Sequence, residues 1–358
     1  MSCMYEDHKI SVLLLNSVDV VEAILTPLNA KQLNKCSRVC KFWSRTVTRL
    51  KKKRKTKSWA CLKADGEDYD FISNITTYFN TLYTEPHVVF MMFRSDMESI
   101  DSNTISKCVQ ELIPQSCKLI GIGCGGIVGT ETSTNNIHEM EYTDAVSFLC
   151  LPKYDNVEFV TSDDIEDNFK REAQTFADIL RSSAFSTHVL LTFFGDFTVP
   201  RIVGNNLYKS FPHCLIAGAY IESVVPNDEI YFPLLHLTAI MGDRLQVASV
   251  IIENDVKDAE STEERMKRLK QYGLNERNSF AFMFACLGRG EGLYGQCNVE
   301  SSLFRRYFPQ TPLIGLFGNG EIGYNHVSRQ AGGDTGHLNK SPRMFHSFTT
   351  VFVLISVT

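Results

Sequence analysis

The residues best suited to chemistry sit in two glycine-rich loops late in the chain. The first, Cys286-Leu-Gly288-Arg289-Gly290, follows the apolar run Phe280-Ala-Phe-Met-Phe284. A thiol beside a guanidinium can have a lowered pKa and act as a nucleophile. Such catalysis also needs a base, and spacing singles out none of the nine histidines. A small buried cysteine closing a strand is the plainer reading of Cys286. The second loop, Gly318-Asn319-Gly320-Glu321-Ile322-Gly323, follows another apolar run. If both loops leave one edge of a sheet, Arg289 and Glu321 have two options. They pair with each other, or they share a pocket with Cys286 and Asn319 that recognises a zwitterionic ligand or a peptide. The glycines permit tight turns and close backbone approach in either case.

A third glycine cluster, Gly121-Ile-Gly123-Cys-Gly125-Gly126, satisfies GxGxxG, with Glu139 and Glu141 roughly where a ribose-binding acid belongs. That fingerprint must open a helix. Residues Ile127 to His138 (IVGTETSTNNIH) are rich in β-branched residues, Thr and Asn, with no helical apolar period, so dinucleotide binding is rejected. There is no P-loop, HExxH or GxSxG, and no interleaved aromatic and basic stripe for nucleic acid. No Cys/His cluster has zinc spacing. No metal, cofactor or catalytic residue is expected.

The elements that position these loops recur three times. His87-Val-Val-Phe-Met-Met-Phe93 leads through Leu112-Ile-Pro114 to Leu119-Ile-Gly-Ile-Gly123. His188-Val-Leu-Leu-Thr-Phe-Phe194 leads through Phe211-Pro212 to Leu215-Ile-Ala-Gly218. Phe280–Phe284 leads through Phe308-Pro309 to Leu313-Ile-Gly315. Each copy reads as a buried strand, a loop, a helix stopped by Pro, and a second buried strand. In the third copy Val299, Leu303, Phe304 and Tyr307 form the helical stripe. Strand-helix-strand units with both strands buried imply parallel pairs joined by right-handed crossovers. Leu237–Ile252 reads as an antiparallel hairpin turning at Gly242-Asp243, and Val146–Leu151 and Met344–Ile355 as further strands. The expectation is a mixed α/β body with mixed sheets, spread from about residue 60 to the end of the sequence and built from related halves.

Residues Val20 to Trp43 fit none of these copies. Val21, Ile24, Leu25 and Leu28 fall at i, i+3, i+4 and i+7, and Leu33, Cys36, Cys40, Trp43 and Val47 form a second stripe after Pro27 and Asn29. Three short helices fit, yet fewer than fifty residues bury only a marginal core. The segment therefore either packs on the rest of the chain or meets another protein. A basic run, Lys51-Lys-Lys-Arg-Lys55, follows and reads either as a nuclear-import signal or as a solvated helix end.

Length and composition are those of a globular protein: 358 residues, 44% apolar, 22% charged, net charge −5. Nothing in that balance points to nucleic acid or an anionic membrane as partner. Eleven scattered cysteines fit a reducing compartment, and no signal-peptide pattern or membrane-length apolar run is present. The expected location is cytoplasmic and nuclear.

The segment Val20–Leu28, Ala30-Lys-Gln-Leu33 and Val39-Cys-Lys-Phe-Trp43 resembles an F-box, although Asn16-Ser17 stands where that motif often opens with Leu-Pro. The stretch Phe282-Met-Phe-Ala-Cys286-Leu-Gly-Arg-Gly290, with Pro312–Gly323, is similar to the C-terminal part of a FIST domain. These resemblances imply an all-helical F-box at 10–57, a FIST N-terminal region at 58–235 and a FIST C-terminal region at 236–358. The F-box would bury Val21, Ile24, Leu25, Leu28, Leu33, Val39, Cys40 and Trp43, partly in its own core and partly against a Skp-type adaptor. Through that adaptor the chain would reach a cullin with its RING subunit. The implied role is that of a non-catalytic substrate receptor of a ubiquitin ligase, capturing proteins for degradation. The alternative is a small-ligand sensor carrying a helical cap.

Overall fold

Each of the three repeats folds as a parallel strand pair. The computed structural model describes residues 17–66, 69–162, 169–196, 206–225, 233–327 and 342–358. In the first repeat β2 (Val88–Arg94) runs parallel to β3 (Lys118–Cys124), with helix α5 (Ser102–Leu112) between them. In the second, β8 (Thr187–Phe194) pairs with β9 (Leu215–Tyr220) across a helical stretch at 206–210. In the third, β13 (Ser279–Cys286) pairs with β14 (Leu313–Gly318) across α9 (Val299–Tyr307).

The likeness extends beyond the pairs. An antiparallel strand lies beside the first member of each: β6 (Ala145–Leu151) on β2, β11 (Leu235–Gly242) on β8 and β18 (Thr350–Val357) on β13. A further strand lies outside each of those: β1 (Ser58–Lys63), β7 (Val157–Thr161) and β12 (Leu245–Ile252). Each unit then lends a strand to a neighbour. After β3, β4 (Gly126–Thr130) and β5 (Ile137–Met140) extend the third sheet beside β14. After β9, β10 (Ser223–Val225) joins β3, and after β14, β15 (Glu321–Ile322) joins β9. The body is thus three units in cyclic strand exchange, rather than two halves.

This arrangement corrects the expected hairpin at Leu237–Ile252. Both strands form, but β11 belongs to the second sheet and β12 to the third, so the turn between them hands the chain to a new sheet. The turn at 243–244 is thus where the chain passes from the second sheet to the third. The Met344–Ile355 candidate is likewise divided, into β17 (Phe345–His346) and β18, by a turn at Phe348.

Burial on both faces explains why the strands read as unbroken apolar runs. Along β2, Val88, Phe90 and Met92 face a core shared by all three sheets, while Val89, Met91 and Phe93 face helices α4 (Phe71–Thr81) and α5. Along β13, Phe280, Phe282 and Phe284 face the shared core, and Ala281, Met283 and Ala285 face α7 (Ala259–Gln271) and α9. Phe90 meets Phe282 edge-on at 5.1 Å, and Phe193 meets Phe284 at 5.8 Å. The GxGxxG stretch runs from β3 directly into β4, so it opens a strand and not a helix. Gly123 is needed there because a Cβ would collide with Ser223 Oγ of the borrowed strand β10.

The N-terminal helices are α1 (Val18–Leu25), α2 (Ala30–Cys36) and α3 (Lys41–Lys53). A capping box starts α2: Gln32 N donates to Asn29 Oδ1 at 2.9 Å, and Asn29 N donates to Gln32 Oε1 at 3.0 Å. The segment has its own core of Val21, Leu25, Leu33, Val47 and Leu50. It also sits on the body, held mainly by polar contacts. Ala30 N donates to Leu82 O, Lys31 Nζ to Asn80 Oδ1, and Lys51 Nζ to Glu85. Arg54 is buried, its guanidinium 3.7 Å over the Tyr83 ring and bonded to Tyr83 O and Thr26 O. A cavity of about 200 Å³ lined by Ala30, Phe79, Leu82, Pro86 and Ile113 remains at this join.

Candidate functional site

Two surfaces stand out, one on the helices and one where the glycine-rich loops meet. On the helices the structure sorts the predicted residues into two groups. Val21, Leu25 and Leu33 are fully buried in the segment's own core, with Leu28 and Trp43 half-buried against it. Ile24 is 42% exposed and Val39 60%, joined by Val18 and Val20. The apolar stripe read along α1 therefore splits: Val21 and Leu25 face inward, Ile24 outward. Cys40 is the N-cap of α3, its Sγ accepting from Trp43 N at 3.5 Å. The basic run is largely engaged within the chain: Lys51 with Glu85, Lys53 with Glu22, and Lys55 with Asp155 and Lys153 O, Arg54 being the buried anchor described above.

On the body, Arg289 and Glu321 do not pair. Arg289 is 1% exposed, and its partner is Glu300 on α9, equally buried, at 2.6 Å. Nε of Arg289 also donates to Glu300 Oε1 at 2.7 Å, and Nη2 donates to Tyr294 Oη at 2.6 Å. The Tyr294 hydroxyl in turn donates to Glu300 Oε1. Burial works against the charge on Arg289, and Glu300 and Tyr294 together more than offset it, so its pKa is raised. Glu139 of β5 lies behind this pair, where its Oε1 accepts from Ser301 N at 2.7 Å. Burial, then the charge of Glu300, pushes the Glu139 carboxyl up to about 7. Neither Glu300 nor Tyr294 is marked as an Arg289 partner by spacing, because both follow a turn, and Glu139 reaches Glu300 on an exchanged strand.

Glu321 is fully buried on β15, and its Oε2 accepts from Thr349 N at 3.1 Å and from Thr349 Oγ1 at 2.6 Å. Its carboxyl is pushed up to about 7, chiefly by burial. Cys286 is raised too, by burial first and by Glu321 second, so at neutral pH it carries less thiolate than a free cysteine. Asn319 stays exposed on its turn.

What unites three of the four predicted residues is the dipeptide Phe348-Thr349. Arg289 Nη1 donates to Phe348 O at 3.2 Å, Cys286 N donates to Thr349 O at 3.0 Å, and Glu321 accepts from Thr349 twice. Phe348 has φ of 58° and is 60% exposed. The other non-glycine residues with positive φ among those described are Asn135, Asn156 and Asn298, a type that tolerates this region. A bulky residue there costs about 1–2 kcal/mol. The sequence offered one hint that went unused: an isolated Phe between Ser347 and Thr349, outside the apolar run of β18.

Residues 14–55 match the F-box domain family, and residues 238–324, from β11 to Tyr324, match the FIST C domain family. The chain therefore carries an F-box joined to a mixed α/β body that contains a FIST C domain. Over nearly its whole length it is similar to F-box only protein 22: 27% identical to the Homo sapiens protein and 26% to that of Pongo abelii. Each match covers 98% of this chain and 95% of the relative. Among solved structures, the cyanuric acid hydrolase from A. caulinodans aligns with 85% of this chain and 99% of its own at 9% identity, with a TM-score of 0.40.

Proposed function

We propose that this chain is the substrate-recognition subunit of an SCF-type ubiquitin ligase. The F-box hangs the body on a Skp-type adaptor and, through it, on a cullin with its RING subunit. The observation that carries this reading is the set of apolar side chains left in water on α1 and beside α3: Val18, Val20, Ile24 and Val39. Their segment already has its own core and its own anchorage to the body, so these side chains serve neither. On α1, Val20 and Ile24 are four residues apart and share one outward face, and an exposed apolar face of this kind suits a protein contact.

The charges narrow the partner. Residues 17–57 hold twelve Lys and Arg against two acids, Asp19 and Glu22. Lys35, Arg38, Lys41 and Arg45 are exposed around Val39. The complementary adaptor face is apolar at its centre and acidic at its rim, which speeds encounter at low salt. The body captures the protein to be ubiquitinated and sent to the proteasome. It supplies no nucleophile, in keeping with the raised Cys286 thiol, and works by tethering, which is worth ~10²–10⁴ in effective affinity. The ten described cysteines are all free, in keeping with a reducing, cytoplasmic and nuclear location.

Co-purification of the full chain with a Skp-type adaptor tests this. Ile24→Asp combined with Val39→Asp is expected to abolish adaptor capture while leaving the circular dichroism spectrum and melting temperature unchanged. A folded double variant that still brings down the adaptor in wild-type amounts would overturn the reading.

A further inference from the structure

We infer that Phe348 and Leu287 form the knob by which the body docks its captured protein, and that the docked segment is basic with an apolar centre. This rests on the receptor reading above. Phe348 is both strained and exposed, so its ring gains little burial where it stands. Yet four hydrogen bonds tie Phe348-Thr349 to buried residues: Arg289 and the Cys286 N–H donate to its carbonyls, and the Thr349 N–H and hydroxyl donate to Glu321. A backbone held so firmly in an unfavourable conformation, with an aromatic ring at its tip, is built to present that ring.

The surface around the ring is continuous. The Phe348 ring lies over Gly288, where a Cβ would come within 2.6 Å of it. The neighbouring Leu287 is 38% exposed and reaches over Gly125. Gly288 is thus required for the Phe348 ring to sit where it does. The rim is acidic. Glu222 stands beside Gly125, and Glu141 stands beside Gly290, where its Oε1 accepts from Glu291 N. Neither Glu222 nor Glu141 has an ion pair among the described residues. Residues 58–358 as a whole hold 37 acids against 23 Lys and Arg, opposite in sign to the F-box segment. An apolar knob with an acidic rim fits a segment that offers Leu-type side chains between lysines or arginines.

Fluorescence anisotropy of the full chain with three labelled hexapeptides tests this: Lys-Lys-Leu-Leu-Lys-Lys, Lys-Lys-Ser-Ser-Lys-Lys and Glu-Glu-Leu-Leu-Glu-Glu. The first is expected to bind at least fivefold more tightly than either of the others. Phe348→Gly, which suits the positive φ, is expected to weaken that binding at least fivefold while melting at or above the wild-type temperature. Glu222→Gln is expected to weaken it less. A Phe348→Gly chain that melts lower would mark the ring as a packing element and overturn the inference. So would undetectable or unselective binding of the first peptide, or binding unchanged in Phe348→Gly. Adaptor capture measured on the same samples separates the two proposals. Its loss from the wild type alone would sink the receptor role and leave the Phe348 surface standing.

Discussion

The F-box segment and the body solve the same problem, what to do with apolar side chains, in opposite ways. Among the described residues, the body seals most of its apolar side chains between sheets and helices, and it has three sheets to do so. The segment has three short helices and a core of five fully buried apolar residues, and it leaves Val18, Val20, Ile24 and Val39 in water. The polar groups follow the same division. The body buries Arg289 with Glu300, and Glu321 beside Thr349, whereas most of the segment's ion pairs lie at or near its surface. Burial makes a charge costly and its partner indispensable, while exposure makes it cheap and replaceable. The body is therefore the region where single polar substitutions should do most damage, and the segment the region where apolar ones should be sorted by which way they face.

The largest effect is expected at Arg289. Arg289→Ala leaves Glu300 buried without its cation and removes one support of the Phe348 turn, which should cost about 3–5 kcal/mol in urea unfolding. Replacing both partners, as Arg289→Met with Glu300→Gln, should restore a good part of that loss, because no uncompensated charge then remains. A single variant that unfolds like wild type would mean that the pair is not the internal strut described here.

Next in size is a pH dependence confined to the body. Glu139 and Glu321 both have carboxyl groups raised from the ordinary 4.5 to about 7, chiefly by burial. Glu300 and Glu141 face Glu139, while Thr349 and Cys286 face Glu321. Between pH 4.5 and 7 the folded chain holds protons that the unfolded chain has released. Stability from these two groups is therefore greatest below pH 4.5 and is lost as pH rises through 7. At about 1.4 kcal/mol per unit, each group contributes at most about 3.5 kcal/mol to that fall. Melting temperature followed from pH 5 to 8 should drop more steeply in the wild type than in Glu139→Gln or Glu321→Gln. Parallel curves would show that neither acid titrates in this range.

Much of this contrast was written in the sequence, and the rest depended on contacts that spacing does not encode. The three apolar-run, Pro and glycine copies became three parallel pairs, since burial on both faces leaves an unmistakable run such as Val-Val-Phe-Met-Met-Phe. The cyclic exchange was not legible, because β11 and β12 joined by Gly242-Asp243 carry the same residues whether they pair with each other or go to different sheets. Cys286, Arg289 and Glu321 each bond to Phe348-Thr349, a turn from another part of the chain that spacing does not mark. In the F-box segment an ideal helical period could not separate Ile24 from Leu25. Which of two adjacent apolar residues faces inward depends on where α3 packs.

That pair gives the finest test of the contrast. Leu25→Ala removes a fully buried side chain from a core of five and should cost about 2–3 kcal/mol. The low end of the usual range applies because a core this small, open to solvent at its edge, can close around the gap. Ile24→Ala should change stability by less than about 0.5 kcal/mol, since its side chain already stands 42% exposed. Binding to a Skp-type adaptor should reverse the order of directness. Ile24→Ala should weaken the complex at every temperature at which the chain is folded. Leu25→Ala should weaken it only near the temperature at which the segment itself begins to melt. Calorimetric titration at 10 °C and again within a few degrees of melting would separate the two. Equal losses for both variants at 10 °C would mean that α1 is read by its partner on both faces, and that the segment's own core opens on docking.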